Sequence, residues 1–370
     1  VAVLSDAQRE AGWTIAKLGD IATLVMGTSP KSSDVVDYPL GIPLLNGPAE
    51  FTDKYPVPVK WTEKGIRFSE PGDILFCVRA TLGKMNFSDR QYAIGRGLAA
   101  IRGIDELHTR YIYYTLLSTM ESILRNANGT IYLSVTKSDV ENFEIPLPPK
   151  DTLKRIAGIL GSLDDKIEAN TRLIQTLDSL GEAATRKYLK SVQKTQKLND
   201  IAHIVMGQSP KGETLNTEGS GVLFFQGKKD FGFRYPTPRT YTTAATRMAE
   251  PLDILFSVRA PIGALNRSVE ACCVGRGLAA IRSSCGQENT LFYTLKTNPN
   301  LWEKFEGEGT IFSAINKKGL SELDIPFSET AISNGVEDFL TSVEQEIFSL
   351  EQENLQLAET RDALIKRLID

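Results

Sequence analysis

DILFCVRA at residues 73–80 returns as DILFSVRA at residues 253–260, one letter different and 180 positions later. The agreement extends outward on both sides. Leu18, Asp20, Ile21, Ala22, Val25, Met26, Gly27, Ser29, Pro30 and Lys31 recur at the same offset as Leu198, Asp200, Ile201, Ala202, Val205, Met206, Gly207, Ser209, Pro210 and Lys211. Tyr55-Pro56-x-Pro58 recurs as Tyr235-Pro236-x-Pro238, GRGLAAIR at 95–102 recurs at 275–282, and Gly129, Thr130 and Ile131 recur as Gly309, Thr310 and Ile311. A period this long is not a solenoid unit; it is a duplicated domain together with whatever follows it.

Inside each copy, short apolar runs such as ILFCVRA and GLAAIRG are separated by Gly, Pro, Asn and Asp, a β-rich texture. TRYIYYTLLSTMESILRNA (109–127) reads as a helix, and LFYTLKTNPNLWEKF takes its place in the second copy. Each globular unit is therefore expected to be α+β, over residues 1–150 and 191–330. The IPLPP at 145–149 is expected to close the first unit, and Pro326 to close the second less emphatically.

The segments 151–190 and 331–370 have another texture. Leu153, Ile156, Leu160, Leu163, Ile167, Asn170, Ile174, Leu177, Gly181, Ala184 and Tyr188 step by threes and fours, as do Ser333, Val336, Leu340, Val343, Ile347, Leu350, Asn354, Leu357, Arg361, Leu364 and Leu368. Two long helices follow, expected to pair as a coiled coil. With Leu153 at position a, Asn170 falls at d and Asn354 at a, so the two amides can share a layer only if the helices run antiparallel. That register sets Ile174 against Leu350, Leu177 against Ile347, Leu160 against Leu364, Ile156 against Leu368 and Gly181 against Val343. It leaves one poor layer, Leu163 against Arg361. The expected architecture is two similar β-rich α+β domains joined by a long antiparallel two-helix coiled coil.

Enzymatic chemistry finds little support. The chain has two histidines, His108 and His203, neither with a spaced partner, and its four cysteines show no CxxC spacing. GRGLAA lacks the third glycine of a dinucleotide loop, and there is no GxxxxGK[ST] and no Asn-Pro-Pro-aromatic methyltransferase motif. We expect no catalytic residue, no metal site and structural thiols. No run reaches membrane-spanning length and no signal peptide is legible, which suggests a cytoplasmic protein.

The order of globular unit, long helix, globular unit, long helix resembles the specificity subunit of type I restriction-modification systems. The resemblance covers essentially the whole chain and is carried by MGxSPK at Met26 and Met206, DILFxVRAxxG at Asp73 and Asp253, GxGLAAIR at Gly95 and Gly275, and the IP before each helix. It implies a non-catalytic protein whose two target-recognition domains each read one half of a split duplex-DNA target. It implies that the helices act as a spacer and dock two methyltransferase subunits and up to two restriction subunits. S-adenosylmethionine, ATP and magnesium would be bound by those partners. A coiled-coil scaffold with two protein-binding ends is the competing reading.

The formal net charge of −4 is in tension with DNA binding. Residues 331–370 alone hold 3 basic and 9 acidic side chains, so that helix is expected to face solvent or a basic partner, while residues 191–330 hold 16 basic and 14 acidic. Local basic clusters remain: Lys228, Lys229, Arg234 and Arg239 in the second copy, and Lys54, Lys60, Lys64 and Arg67 in the first. Phosphate geometry is alike at two half-sites while base sequence differs, so shared residues suit backbone or framework roles and unshared ones suit base reading. Lys31, Arg67, Arg79 and Arg96 are shared as Lys211, Arg247, Arg259 and Arg276, with a local structural role favoured over phosphate contact for Arg96 and Arg276, which sit between glycines in a strand-forming run. The unshared residues of 44–60 and 224–240 are the base-reading candidates, Pro48-Ala49 standing where Lys228-Lys229 stand. The aligned amides Asn46 and Gln226 could read adenine or cap a turn.

Overall fold

The computed structural model describes residues 3–79, 81–126, 134–305 and 314–369, so the recurring Gly129, Thr130, Ile131 and Gly309, Thr310, Ile311 lie outside the described residues. The chain divides into two compact units, one of residues 1–168 with 355–370 and one of residues 169–354. Each long helix gives one half to each unit.

In the first unit the repeated phrase forms the central strand Ile74–Cys77 of an antiparallel four-stranded sheet, ordered Ala22–Met26, Leu98–Gly103, Ile74–Cys77, Met85–Phe87. Successive side chains of a strand point to opposite faces. Ile74 and Phe76 join Ile101 and the helical Ile112, Leu116 and Met120 in one core cluster, while Leu75 and Cys77 join Leu45, Tyr92, Ile94 and Leu98 in another. Burial on both faces is why the strand reads as an uninterrupted apolar run. Leu45, Tyr92 and Ile94 come from a second, mixed sheet of Lys60–Thr62, Ile42–Leu45, Tyr92–Ile94 and Phe68–Ser69. The second unit repeats this arrangement around Ile254–Ser257, with its other sheet extended to five strands.

Two local expectations are corrected. Pro146 and Pro326 do not merely end the globular units; they lie in strands Glu144–Leu147 and Asp324–Pro326, paired with Thr14–Lys17 and Thr195–Lys197. These sheets have only two strands, so the missing N–H can face away from the ladder. The helix of the first unit spans Glu106–Asn126, but its counterpart stops at Thr297 and resumes as the 3-10 segment Pro299–Phe305. Pro299 has no N–H to give and disfavours helical geometry at Asn298.

The long helices are Lys150–Leu189 and Val336–Leu368. At 1.5 Å per residue they measure about 60 and 50 Å. The seam expected to begin at Ser333 begins at Val336, because Gly335 at φ +74° separates it from a short preceding turn. In the second unit Ile174, Leu177, Val343, Ile347 and Leu350 form one apolar cluster, and Asn170 Nδ2 donates to Asn354 Oδ1 at 3.0 Å. The antiparallel register is the one the asparagines specify. Gly181, however, is required by a ring rather than by Val343: a Cβ there would lie 2.5 Å from Tyr293 of the second domain. In the first unit Leu153, Ile156 and Leu160 pack with Ile365, Ile369, Leu364 and Leu368. The poor layer is resolved because Arg361 Nη1 reaches Asp164 Oδ1 at 2.8 Å.

Asn170 is 2% exposed and also donates to Glu353 Oε2 at 2.8 Å. Asn170→Leu should cost about 1–3 kcal/mol by burying acceptors that have lost their donor. Asn170→Leu with Asn354→Leu should recover part of that cost, read as a non-zero coupling in a double-mutant cycle by urea unfolding.

Candidate nucleic-acid interface

Three recurring phrases, far apart in sequence, meet in each unit because glycine lets their backbones touch. After strand Ala22–Met26, Gly27 N–H donates to the Leu98 carbonyl at 2.9 Å and Thr28 N–H to that of Ile94 at 2.8 Å. A Cβ on Gly27 would lie 2.1 Å from the Gly95 carbonyl oxygen, so no other residue fits. Ser29 Oγ accepts the Arg96 N–H at 3.1 Å, Gly95 N–H donates to Leu45 O at 2.8 Å, and Val78 N–H to Gly97 O at 2.9 Å. The second unit repeats these contacts: Gly207 to Leu278 at 2.9 Å, Arg276 N–H to Ser209 Oγ at 3.3 Å, and Val258 N–H to Gly277 O at 2.9 Å. MGxSPK, DILFxVRA and GRGLAAIR thus form one cluster of loops.

The unshared residues emerge beside this cluster on a pinned turn. Pro48–Glu50 and Lys228–Asp230 are 3-10 turns, each entered from a glycine. Glu50 Oε2 accepts the Gly47 N–H at 3.3 Å, and Asp230 Oδ2 accepts those of Gln226 at 2.8 Å and Gly227 at 3.3 Å. Both acids are buried, so the turn is held from below and Pro48-Ala49 or Lys228-Lys229 are held outward. Gln226 Oε1 accepts from Ser209 Oγ at 2.9 Å. In the second unit the turn borders a depression of about 470 Å³ lined by Gln226, Lys228, Lys229, Ser257 and Arg259, with no carboxylate. Asn46 is the equivalent amide in the first unit, exposed beside Gly95 and Gly97.

Arg67, Arg79, Arg96, Arg247, Arg259 and Arg276 are all exposed and form no ion pair among the described residues, as do Lys31, Lys60, Lys228, Lys229 and Arg239. Lys211 is exposed with a loose 3.9 Å contact to Glu213. The structural part of Arg96 and Arg276 is their backbone; their side chains are exposed and form no ion pair among the described residues. Lys64 is tied to Asp34 at 2.9 Å, which raises its pKa through that hydrogen bond.

Two candidates have side chains engaged by carboxylates of the long helices. Arg234 is 2% exposed: its guanidinium meets Asp178 of the first long helix, lies 3.3 Å from Glu344 of the second, and stacks over the Phe292 ring at 4.4 Å. A long cation beside a ring and two carboxylates is drawn inward despite its hydrophilic sequence neighbours. Its counterpart Lys54 is paired with Glu168, whose Oε2 also accepts from Tyr55 Oη at 3.0 Å. Both are residues that seat a domain on the helices.

Sequence reasoning missed this seat. Arg267, 1% exposed, also lies 3.3 Å from Glu344, with burial lowering its pKa against the opposing pull of that carboxylate. Tyr293 Oη donates to Glu344 Oε1 at 2.8 Å, and Lys296 meets Asp178 and, at 3.2 Å, Glu182. Glu337 accepts the N–H groups of Asn289 and Thr290 at 3.0 and 2.8 Å, at the start of helix Glu288–Thr297. The acidic helix therefore turns several of its carboxylates inward, where the sequence suggested solvent or a basic partner. The available signal was that Asp178 and Glu344 directly follow the seam residues Leu177 and Val343.

Residues 10–179 match the family model described as the type I restriction modification DNA specificity domain. The chain is 30% identical over 259 residues to the protein named as the MjaX specificity subunit of a type I restriction enzyme from Methanocaldococcus jannaschii, covering 64% of this chain and 60% of that protein. It is 24% identical over 185 residues to the type I restriction enzyme MjaIX specificity subunit of the same organism, covering 45% and 41%. The matched stretches thus span about half the length of these relatives. The crystal structure of a type I restriction-modification system S subunit from M. genitalium superposes with a TM-score of 0.61 at 19% identity, covering 97% of this chain and 96% of that one, a likeness of fold. The resemblance read from the motifs is borne out.

Arg234→Ala should destabilise the second unit by about 3–5 kcal/mol, because it strands buried carboxylates. Replacing Lys228, Lys229 and Arg239 together with Ala should move the unfolding midpoint little; denaturant unfolding compares the two. Burial raises the Glu351 pKa to about 7, opposed by the Arg234 N–H that it accepts at 3.3 Å. The folded state then holds a proton that the unfolded state has released, so stability falls as pH rises from about 4.5 to about 7, by up to about 3 kcal/mol. Glu351→Gln should flatten that slope in unfolding curves taken between pH 4.5 and 8.

Proposed function

We propose, for a chain whose residues 10–179 carry the type I restriction modification DNA specificity domain, that the protein is the non-catalytic DNA-reading subunit of a type I restriction-modification system. One observation carries the reading: each of two similar units brings its recurring phrases to a single loop cluster edged with exposed arginines that form no ion pair among the described residues, and places its unshared residues on a pinned turn beside it. A duplicated framework with variable outward residues suits two half-sites that share backbone geometry and differ in bases.

In this reading Lys31, Arg67, Arg79 and Arg96, with Lys211, Arg247, Arg259 and Arg276, hold phosphates. Asn46, Lys60, Gln226, Lys228, Lys229 and Arg239 face the bases, and Lys54 and Arg234 hold the domains on the helices. The long helices serve as the spacer and dock two methyltransferase subunits, and through them up to two restriction subunits. S-adenosylmethionine, ATP and magnesium belong to those partners, so the purified chain should not methylate or cut duplex DNA. A protein-binding scaffold would have no use for exposed cations, three arginines and one lysine, repeated at the same four places in both units.

The test is a gel shift of the full chain on random-sequence duplex across a salt series. Each lost phosphate contact lowers the log–log salt slope by about 0.9. Arg96→Ala with Arg276→Ala should lower it by about 2 and weaken all sequences alike. Absence of any shift at low salt would favour the scaffold reading.

A further inference from the structure

The depression in the second unit has a clear chemical bias. Its side-chain polar groups are the Lys228 and Lys229 ammonium groups, the Arg259 guanidinium, the Gln226 amide and the Ser257 hydroxyl, and no carboxylate lines it. Ser257 Oγ donates to the Arg259 carbonyl at 2.9 Å, and Gln226 Oε1 accepts from Ser209 Oγ, which leaves the Gln226 NH2 as that amide's uncommitted group among the described residues. The site therefore presents donors. It is also held in shape, because buried Asp230 ties the backbone N–H groups of Gln226 and Gly227 under the two lysines.

Of the four base edges in the major groove, only guanine presents two acceptors, O6 and N7, and no donor; lysine and arginine pair with it for that reason. We propose that the turn Lys228–Asp230 is the specificity-determining element of the second domain, and that Lys228 and Lys229, with the Gln226 amide beside them, read guanine in its half-site. The inference rests on the DNA-reading function above and adds a base class and the residues that select it. The first domain has the same pinned turn with Pro48 and Ala49 in the outward places, so it does not read guanine there.

The two turns can be exchanged without new backbone demands, since the unit that carries Pro48 builds the same 3-10 turn after the same extended glycine. Three variants of the full chain, alone and assembled with the methyltransferase subunits of its system, would be passed through selection from a random duplex pool. These are Lys228→Pro with Lys229→Ala, Lys228→Gln with Lys229→Gln as a milder control, and the reciprocal Pro48→Lys with Ala49→Lys. We expect the first two to keep the wild-type first half-site and lose guanine preference at one or two adjacent positions of the second. The reciprocal variant should gain guanine preference in the first half-site. On the wild-type target, 7-deazaguanine at the affected position should weaken wild-type binding about tenfold and leave the double variants unaffected. Equal weakening of selected and random duplexes would mean the lysines hold phosphate, and an unchanged selected sequence would mean they touch nothing; either overturns the proposal. Failure of the wild-type chain to retain any duplex would instead remove the DNA-reading function itself, and this inference with it.

Discussion

Gly27 lies so close to the Gly95 carbonyl that a single methyl group between them would have no room. The rest of each unit's surface depends on that approach. It brings the loop after the first strand of the sheet over the loop before Leu98–Gly103, and from there Gly95 N–H reaches the end of an inner strand of the second sheet at Leu45. Gly207 and Gly275 repeat it in the second unit. Because the contact is backbone to backbone, side chains around it can change without disturbing the frame. That is the property a protein needs if one scaffold is to present different groups at different targets.

The seats beneath the two frames are built differently. In the first unit Lys54 and Tyr55 share one carboxylate, Glu168, at a partly solvated edge, and Arg361 pairs with Asp164. In the second, two nearly inaccessible arginines, Arg234 and Arg267, share Glu344 between them, with Asp178, Lys296 and Tyr293 completing the network. Burying so many charges yields little net stability, but removing one member is costly because the others cannot return to water. The network therefore fixes one orientation of the domain on its own helix segments more firmly than apolar packing alone would. It also gives the acidic helix a use inside the unit: Glu337 accepts a pair of N–H groups and Glu344 faces guanidinium groups.

Periodicity and repetition are properties of the chain itself, and the architecture is written in them. The offset between Asp73 and Asp253 implies two copies of one domain, and the three-four stepping of apolar residues implies the long helices. The positions of Asn170 and Asn354 in their heptads select an antiparallel register, since polar groups in an apolar seam need each other. Pairing the copies also marks the turn that carries Lys228 and Lys229 as a place where they differ. What the letters could not say is which cations face water. Arg234 sits in the same hydrophilic run as Lys228, Lys229 and Arg239, yet its side chain ends against Phe292 and Glu344, residues 58 and 110 positions away. Burial of a flexible charged side chain is decided by groups that only the folded chain brings near it, and periodicity carries no record of them. The same holds for the donor-lined depression: Gln226, Lys228, Ser257 and Arg259 lie on separate strands and turns, and only the packing of one sheet against the other makes them neighbours.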